Sequence, residues 1–156
     1  MKFSKNISAV LLIIMASTSI IEAQKHFKVI EASSMSWSGG MAQSGSGTTY
    51  SIKAVLTTKQ KVTFDGIWIG KEYGLLETHS FSYTDGRTLG KGDTVLLTYT
   101  INRYPPNSPM AQMANPINKP VPIYYKGEAL IGFTIDNVTR YRSVAKFEQQ
   151  PHQNYP

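Results

Sequence analysis

Glu77 and His79 are the side chains whose types and spacing best suit chemistry. They lie two residues apart in an alternating segment, so both project from one face if that segment is a strand. A carboxylate beside an imidazole can exchange a proton or bind a metal ion. A metal site needs a further ligand, and neither another His nor a tight acidic cluster lies nearby in the sequence. Asp93 is a candidate to join them in a hydrolase site if folding brings the three residues together. An ordinary surface or partly buried His79 is the simpler interpretation.

The sequence contains none of the compact motifs that assemble an enzyme site locally. The serines of the stretch 44–47 lack the strand, turn and helix of a nucleophile elbow, and no Walker loop or dinucleotide fingerprint occurs. Because the chain has no Cys, it has no disulfide, thiol nucleophile or thiolate metal site. Met110 and Met113 could hold Cu(I), but an apolar packing role suits two methionines better. We therefore predict no catalytic residue, no cofactor and no metal site.

Four other side chains are candidates for contacting a ligand: Trp37, Tyr125, Arg140 and Arg142. Trp37 lies in the Gly- and Ser-rich stretch 34–48, and an aromatic ring on such a loop can contact a sugar. Arg140 and Arg142 lie two residues apart on the last predicted strand, where Arg beside Tyr125 would suit an anionic or sugar ligand. The alternatives are a Trp37 ring that folds over one end of the core and a solvated edge of basic residues.

Strand patterns occupy most of the chain that must position these residues. The predicted strands are residues 27–33, 49–57, 61–69, 75–83, 94–104, 121–125, 129–135 and 138–147. Asp136 and Asn137 separate the last two strands and tolerate the positive φ of a tight hairpin turn. We predict an all-β fold, an antiparallel two-sheet β-sandwich of about eight strands of immunoglobulin-like or jelly-roll type, with a small β-barrel as second choice.

The two ends of the chain differ from its centre. Residues 1–23 combine Lys2 and Lys5, an apolar stretch and a small residue at Ala23, which is typical of a secretory signal peptide. Residues 24–148 would then form a single domain, followed by a flexible C-terminal tail at 149–156. A retained membrane anchor is the alternative for the N-terminal segment, but the apolar run is shorter than the ~20 residues of a spanning helix.

Charge narrows the classes of partner. The chain carries a net charge of +6, and removing two Lys and one Glu with residues 1–23 leaves a net charge of +5. This excess favours an anionic partner, although the basic residues are scattered and no Lys/Arg run occurs. A mildly basic soluble surface is the simpler interpretation. A nucleic-acid partner is not expected, because predicted export and the lack of a basic block both argue against it.

These patterns together predict an exported, non-enzymatic module, secreted or periplasmic, that binds a glycan, an anionic envelope component or a protein partner. No membrane span is expected after signal cleavage. One alternative is a small secreted hydrolase whose site assembles only in three dimensions. The other is a structural subunit or inhibitor of the cell envelope that pairs through an edge strand.

Overall fold

The structure is a computed structural model that describes residues 26–41, 44–80, 89–113 and 117–156. The predicted signal peptide at 1–23 lies outside the described residues. In chain order the elements are β1 (Phe27–Gly39), β2 (Ser46–Leu56), β3 (Thr63–Ile69), β4 (Glu72–Leu75), β5 (Glu77–Ser80), β6 (Thr94–Arg103), α1 (Pro109–Met113), β7 (Ala129–Ile135), β8 (Val138–Val144) and β9 (Glu148–Tyr155). No helix in these ranges is long and apolar enough to cross a membrane.

The strands form two sheets, which confirms the predicted two-sheet β-sandwich. A five-stranded sheet has the order β5-β6-β2-β1-β9, and a four-stranded sheet has the order β4-β3-β7-β8. Neighbouring strands are antiparallel except β1 and β9, which are parallel. The hairpin of β7 and β8 forms as predicted, because Asp136 (φ 49°) and Asn137 (φ 63°) both adopt the left-handed backbone of a tight turn.

The core lies between the two sheets and follows the period-two pattern of the sequence. Ile52, Ala54 and Leu56 of β2 face Ile131 and its neighbours of β7 in one buried cluster. Phe27 is fully buried at the centre of an aromatic group. Its ring makes edge contacts with Phe64 and Phe133, at centroid distances of 5.2 and 5.0 Å, an arrangement that aromatic pairs favour.

The C terminus differs from the prediction of a flexible tail. Glu148–Tyr155 form strand β9, which pairs along β1 from Ser33 to Gly39. All of its side chains are exposed, so its sequence shows no apolar alternation to mark a strand. Its backbone groups nevertheless bond to β1, which needs no particular side chains. The folded domain therefore continues to the last residues of the chain.

The proline-rich segment, residues 105–120, contains the short helix α1. Pro109 occupies the first helical position, where its missing N–H costs nothing. The buried Ser108 precedes it, and its Oγ accepts a hydrogen bond from the Ala111 N–H at 3.1 Å. This is the bonding pattern of a helix N-cap.

Gly74 provides a direct test of how the two sheets pack. A Cβ at this position would overlap the ring of Tyr99, which belongs to the opposite sheet. We expect Gly74→Ala to lower the free energy of unfolding by about 1–3 kcal/mol, since overpacking a filled core displaces its neighbours. Gly90→Ala is the matched control, because a Cβ there meets no heavy atom within 4 Å. Urea denaturation of both variants measures the difference, and equal stability would contradict this packing.

Tyr50 and Tyr99 are register partners on β2 and β6 and should make the fold sensitive to alkali. Burial raises the pKa of both phenols above the ordinary value of 10.0, and the Glu72 carboxylate raises each pKa further. The free energy that the neutral phenols contribute to stability is fully present below the pKa of tyrosine in the unfolded chain. It is lost as the pH rises through the higher pKa of the folded state. We expect the free energy of unfolding to fall as the pH rises above about 10, the ordinary pKa of a tyrosine phenol.

Tyr99→Phe should make this decline shallower, because the ring stays and the ionising hydroxyl is removed. Tyr124→Phe is the control, since the side chain of Tyr124 is exposed to solvent. Urea denaturation at several pH values measures the slopes. The same slope in wild type and Tyr99→Phe would contradict the assignment.

Candidate functional site

The outer face of the four-stranded sheet contains a concavity of about 530 Å³, which we call the trough. Leu75, Gly66, Gly132 and Tyr141 are successive register partners across β4, β3, β7 and β8. The two central positions are therefore glycines, whereas the outer two carry large side chains. Ile131 and Phe133, the neighbours of Gly132 on β7, are buried in the core. Because side chains alternate between the two faces of a sheet, this row lies on the outer face.

Aromatic rings form one wall of the trough. Trp68 and Tyr73 are register partners with ring centroids 4.7 Å apart, and Trp68 lies 5.9 Å from the ring of Tyr141. The glycines make room for these rings: a Cβ at Gly132 would lie 3.1 Å from the Trp68 ring, and one at Gly66 would lie 2.5 Å from the Tyr73 hydroxyl. The missing side chains thus let the rings lie close to the sheet surface.

Polar groups form the opposite wall. The register of β3 and β7 shifts between Phe64 and Gly66, which leaves Asp65 as the extra residue of a bulge. Oδ2 of Asp65 accepts a hydrogen bond from the Thr134 hydroxyl at 2.7 Å. Thr139 is the register partner of Thr134 on β8 and adds a second hydroxyl. A carboxylate accepts at two oxygens, and this bond uses one of them.

Lys119 covers part of the aromatic wall. Its backbone carbonyl accepts a hydrogen bond from Trp68 Nε1 at 3.1 Å, which fixes this part of the proline-rich segment to the sheet. Its Nζ lies 4.7 Å from the ring centroid of Tyr73 and 5.4 Å from that of Trp68, within the range of a cation–π interaction. Trp68 is consequently almost fully buried, and Tyr141 is the half-buried ring.

The composition of the trough limits what it can bind. Its volume lies within the range of roughly 300–1,000 Å³ that is usual for small-molecule sites. Among the described residues that line it, Lys119 and Asp65 are the charged ones, so their formal charges cancel. The lining offers aromatic surface, hydroxyl groups, one cationic donor and one anionic acceptor. Its described lining includes one carboxylate, that of Asp65, and no His.

The structure does not bring the four residues predicted from the sequence into one site. Trp37 lies on β1 in the five-stranded sheet, whereas Tyr125 packs against the Trp68 cluster beside the trough. Arg140 and Arg142 share one face of β8, as expected, but they pair with Phe133 and Ile131, whose side chains enter the core. They therefore belong to the inner side of the sheet.

Arg142 is engaged within the protein. Its Nη1 donates a hydrogen bond to the Phe27 carbonyl, and its guanidinium carbon lies 5.1 Å from the centroid of the Phe27 ring. Burial lowers the pKa of Arg142. These contacts indicate a role in closing the edge of the core.

Glu77, His79 and Asp93 occupy different environments. His79 Nε2 lies 3.8 Å from Glu77 Oε2, and the two side chains are 61% and 79% exposed. Asp93 is buried, and its Oδ2 accepts a hydrogen bond from the Gly90 N–H at 2.8 Å within a turn. Within the described ranges no group of three His, Cys, Asp or Glu side chains is arranged to hold a metal ion.

The residues of the trough were not recognised in the sequence, apart from one hint. Gly66 is that hint, because a glycine within a strand is typical of a bulge or a close approach of the backbone, and both occur there. Asp65, Thr134 and Tyr141 carried no comparable signal, because Asp65 on β3 is far in sequence from the β7–β8 hairpin that carries the other two residues. Only the register of the sheet places them together.

Comparison with known proteins adds no further information. No protein-family model matches the chain, and neither a curated protein nor a solved structure is significantly similar to it. Its function therefore has to be argued from its own residues.

Proposed function

We propose that this protein is an exported, non-enzymatic binding module that holds a neutral saccharide in the trough. The observation that carries the proposal is the lining of the trough, where aromatic rings face hydroxyl and carboxylate groups across a floor of glycine. A saccharide has the complementary surface. The C–H groups of its ring suit the negative face of an aromatic ring, and its hydroxyls suit polar partners.

The polar wall suits hydroxyl groups in particular. A sugar hydroxyl both donates and accepts, so it can donate to Asp65 while it accepts from a threonine hydroxyl or from the Lys119 ammonium. Hydrogen bonds to charged groups are the stronger ones, which makes Asp65 the main contributor to affinity on this wall. Tyr141, as the half-buried ring, is the surface on which the sugar ring would pack.

The charge balance favours a neutral ligand over an anionic one. An anion beside Lys119 would gain attraction but would also lie in the same small concavity as the Asp65 carboxylate. The net charge of +5 that remains without residues 1–23 could attract an acidic polymer to the surface in general, but such attraction is screened by salt. Binding of a neutral saccharide should instead be nearly independent of salt.

Export is supported by residues 1–23, which combine basic residues, an apolar stretch and Ala23 as a cleavage site. The absence of Cys is compatible with a secreted or periplasmic location where the fold needs no disulfide. In that compartment, saccharides of the cell surface or of the surroundings are accessible ligands.

Affinity electrophoresis of the purified mature chain would test the proposal. We suggest mannan, xylan and a β-glucan as neutral probes, and alginate and pectin as acidic probes. At least one neutral polysaccharide should retard the protein, and the retardation should persist at about 0.5 M salt. Retardation by acidic probes alone that disappears in salt would contradict a neutral ligand, and turnover of a saccharide would contradict a non-enzymatic role.

The exposed strand β9 supports a second candidate function, that of an envelope subunit that pairs through a sheet edge. Within the described residues β9 is the last strand of its sheet, and an edge strand can accept a strand from a partner. Pro151 lies within β9 and removes one backbone donor, which makes this candidate the weaker one. Size measurements across concentration would test self-association, and a strict monomer would count against it.

A further inference from the structure

We propose a second saccharide-binding site on the opposite sheet, formed by Trp37, Tyr155 and the hydroxyl groups beside them. This site is a concavity of about 380 Å³ on the outer face of the five-stranded sheet. Different strands build it, and it shares no residue with the trough. Its ligand class is again a neutral saccharide, because none of the side chains that line it is charged.

The aromatic part of this site depends on a glycine, as in the trough. Trp37 of β1 is the register partner of Gly47 of β2, where a Cβ would lie 2.8 Å from the indole ring. The ring therefore lies across the neighbouring strand. Tyr155 of β9 approaches it from the other side, with ring centroids 6.0 Å apart and an angle of 75° between the rings. Two amphipathic rings thus meet at one place on the sheet.

The polar part of the site consists of hydroxyl groups. Thr49 and Thr100 are register partners on β2 and β6, and their Oγ1 atoms lie 3.1 Å apart. Ser44 lines the same concavity. Hydroxyls donate and accept, so this group can match the hydroxyls of a sugar without selecting a charge.

Strand β9 carries one of the rings, and side-chain hydrogen bonds fix it in register. Ser38 Oγ lies 3.0 Å from His152 Nε2 and donates a hydrogen bond to Asn154 Oδ1 at 2.9 Å. These bonds tie β9 to β1 one residue from both Trp37 and Tyr155. The polar C-terminal strand thereby gains a role, since it positions the Tyr155 ring for the ligand.

The two sites face away from each other. Each lies on the outer face of its own sheet, and packed sheets are about 10 Å apart. A short oligosaccharide cannot reach both, so we expect two independent binding events per chain. If the trough also binds a saccharide, as proposed above, one protein molecule could connect two polysaccharide chains. That consequence rests on the proposed function, whereas the second site itself does not.

Calorimetric titration with neutral hexasaccharides of mannose, xylose and glucose would test the second site. Wild type should bind two equivalents of at least one of them, and Trp37→Ala and Tyr155→Ala should each bind one. Asp65→Ala, which alters the trough, should also bind close to one equivalent under the same conditions. Tyr124→Ala is the control, because this exposed residue lines neither concavity. Circular dichroism confirms folding, and Tyr155→Ala changes only an exposed residue at the sheet edge.

Each outcome distinguishes the two proposals. Binding of two equivalents of hexasaccharide by both Trp37→Ala and Tyr155→Ala would overturn the second site. Complete loss of binding in these variants, with no effect of Asp65→Ala, would support the second site and overturn the trough. The absence of binding to every hexasaccharide and polysaccharide probe would overturn both. Wild type should also precipitate the polysaccharide that it binds, whereas each single-site variant should bind without precipitating it.

Discussion

Asp65→Ala is expected to weaken binding of a neutral saccharide in the trough by about 10- to 100-fold. A hydrogen bond to a charged group contributes roughly 1.5–3 kcal/mol, and each 1.4 kcal/mol corresponds to a tenfold change in affinity. The bulge in β3 places this carboxylate beside Thr134, and a sugar hydroxyl would replace water at its second oxygen. Calorimetric titration with the polysaccharide selected by electrophoresis measures the affinity.

Glu77→Ala is the matched control, because it removes an exposed carboxylate from the other sheet. Its affinity should equal that of wild type. Thr134→Val adds a graded variant, since it removes the hydroxyl that donates to Asp65 and keeps the side-chain shape. An unchanged affinity in Asp65→Ala, with wild-type folding, would contradict the placement of the ligand against this wall.

Trp68→Ala is expected to lower the free energy of unfolding by about 3–5 kcal/mol, the range for a large buried aromatic residue. Trp68 is 2% exposed and packs against Tyr73 and Leu130. The substitution would leave a cavity and would also remove the hydrogen bond from Nε1 to the Lys119 carbonyl. Urea denaturation followed by far-ultraviolet circular dichroism measures the change.

Trp68→Phe separates the two contributions. It retains an aromatic ring and loses the donor, so we expect a cost of about 1 kcal/mol from the hydrogen bond together with a smaller cost from packing. Equal stability of Trp68→Ala and Trp68→Phe would contradict the conclusion that packing of the Trp68 ring stabilises the outer face of the sheet.

The sequence predicted those parts of the fold in which one face of a strand is buried. The alternation in β2 and β6 and the turn at Asp136 and Asn137 carry the information locally, and the structure contains all three. Strand β9 escaped prediction because its side chains are exposed on both faces. Its backbone hydrogen bonds to β1 define it as a strand, and these leave no pattern in the sequence.

The candidate sites were harder to predict because they depend on register. Because side chains alternate along a strand, the sequence correctly predicts that Arg140 and Arg142 share one face of β8 and that Tyr141 lies on the other. The alternation within β8 alone does not indicate which face is buried. Apolar Phe133 and Ile131 on β7 decide this, and they turn the arginines inward at the edge of the sheet. Arginine tolerates such a position because its stem is apolar and its guanidinium can reach a backbone carbonyl, as Arg142 does with Phe27. Tyr141 was therefore left outside, in the trough.

The most direct test of the account is a nuclear magnetic resonance titration of the isotopically labelled mature chain with the neutral saccharide that it binds. The indole N–H of Trp68 and the amides of Gly66 and Gly132 report on the trough from within its wall and floor. We predict that these three signals shift in proportion to occupancy and that the shifts persist at high salt. Saturation of the protein by the saccharide with these signals unmoved would contradict the proposed function of the trough.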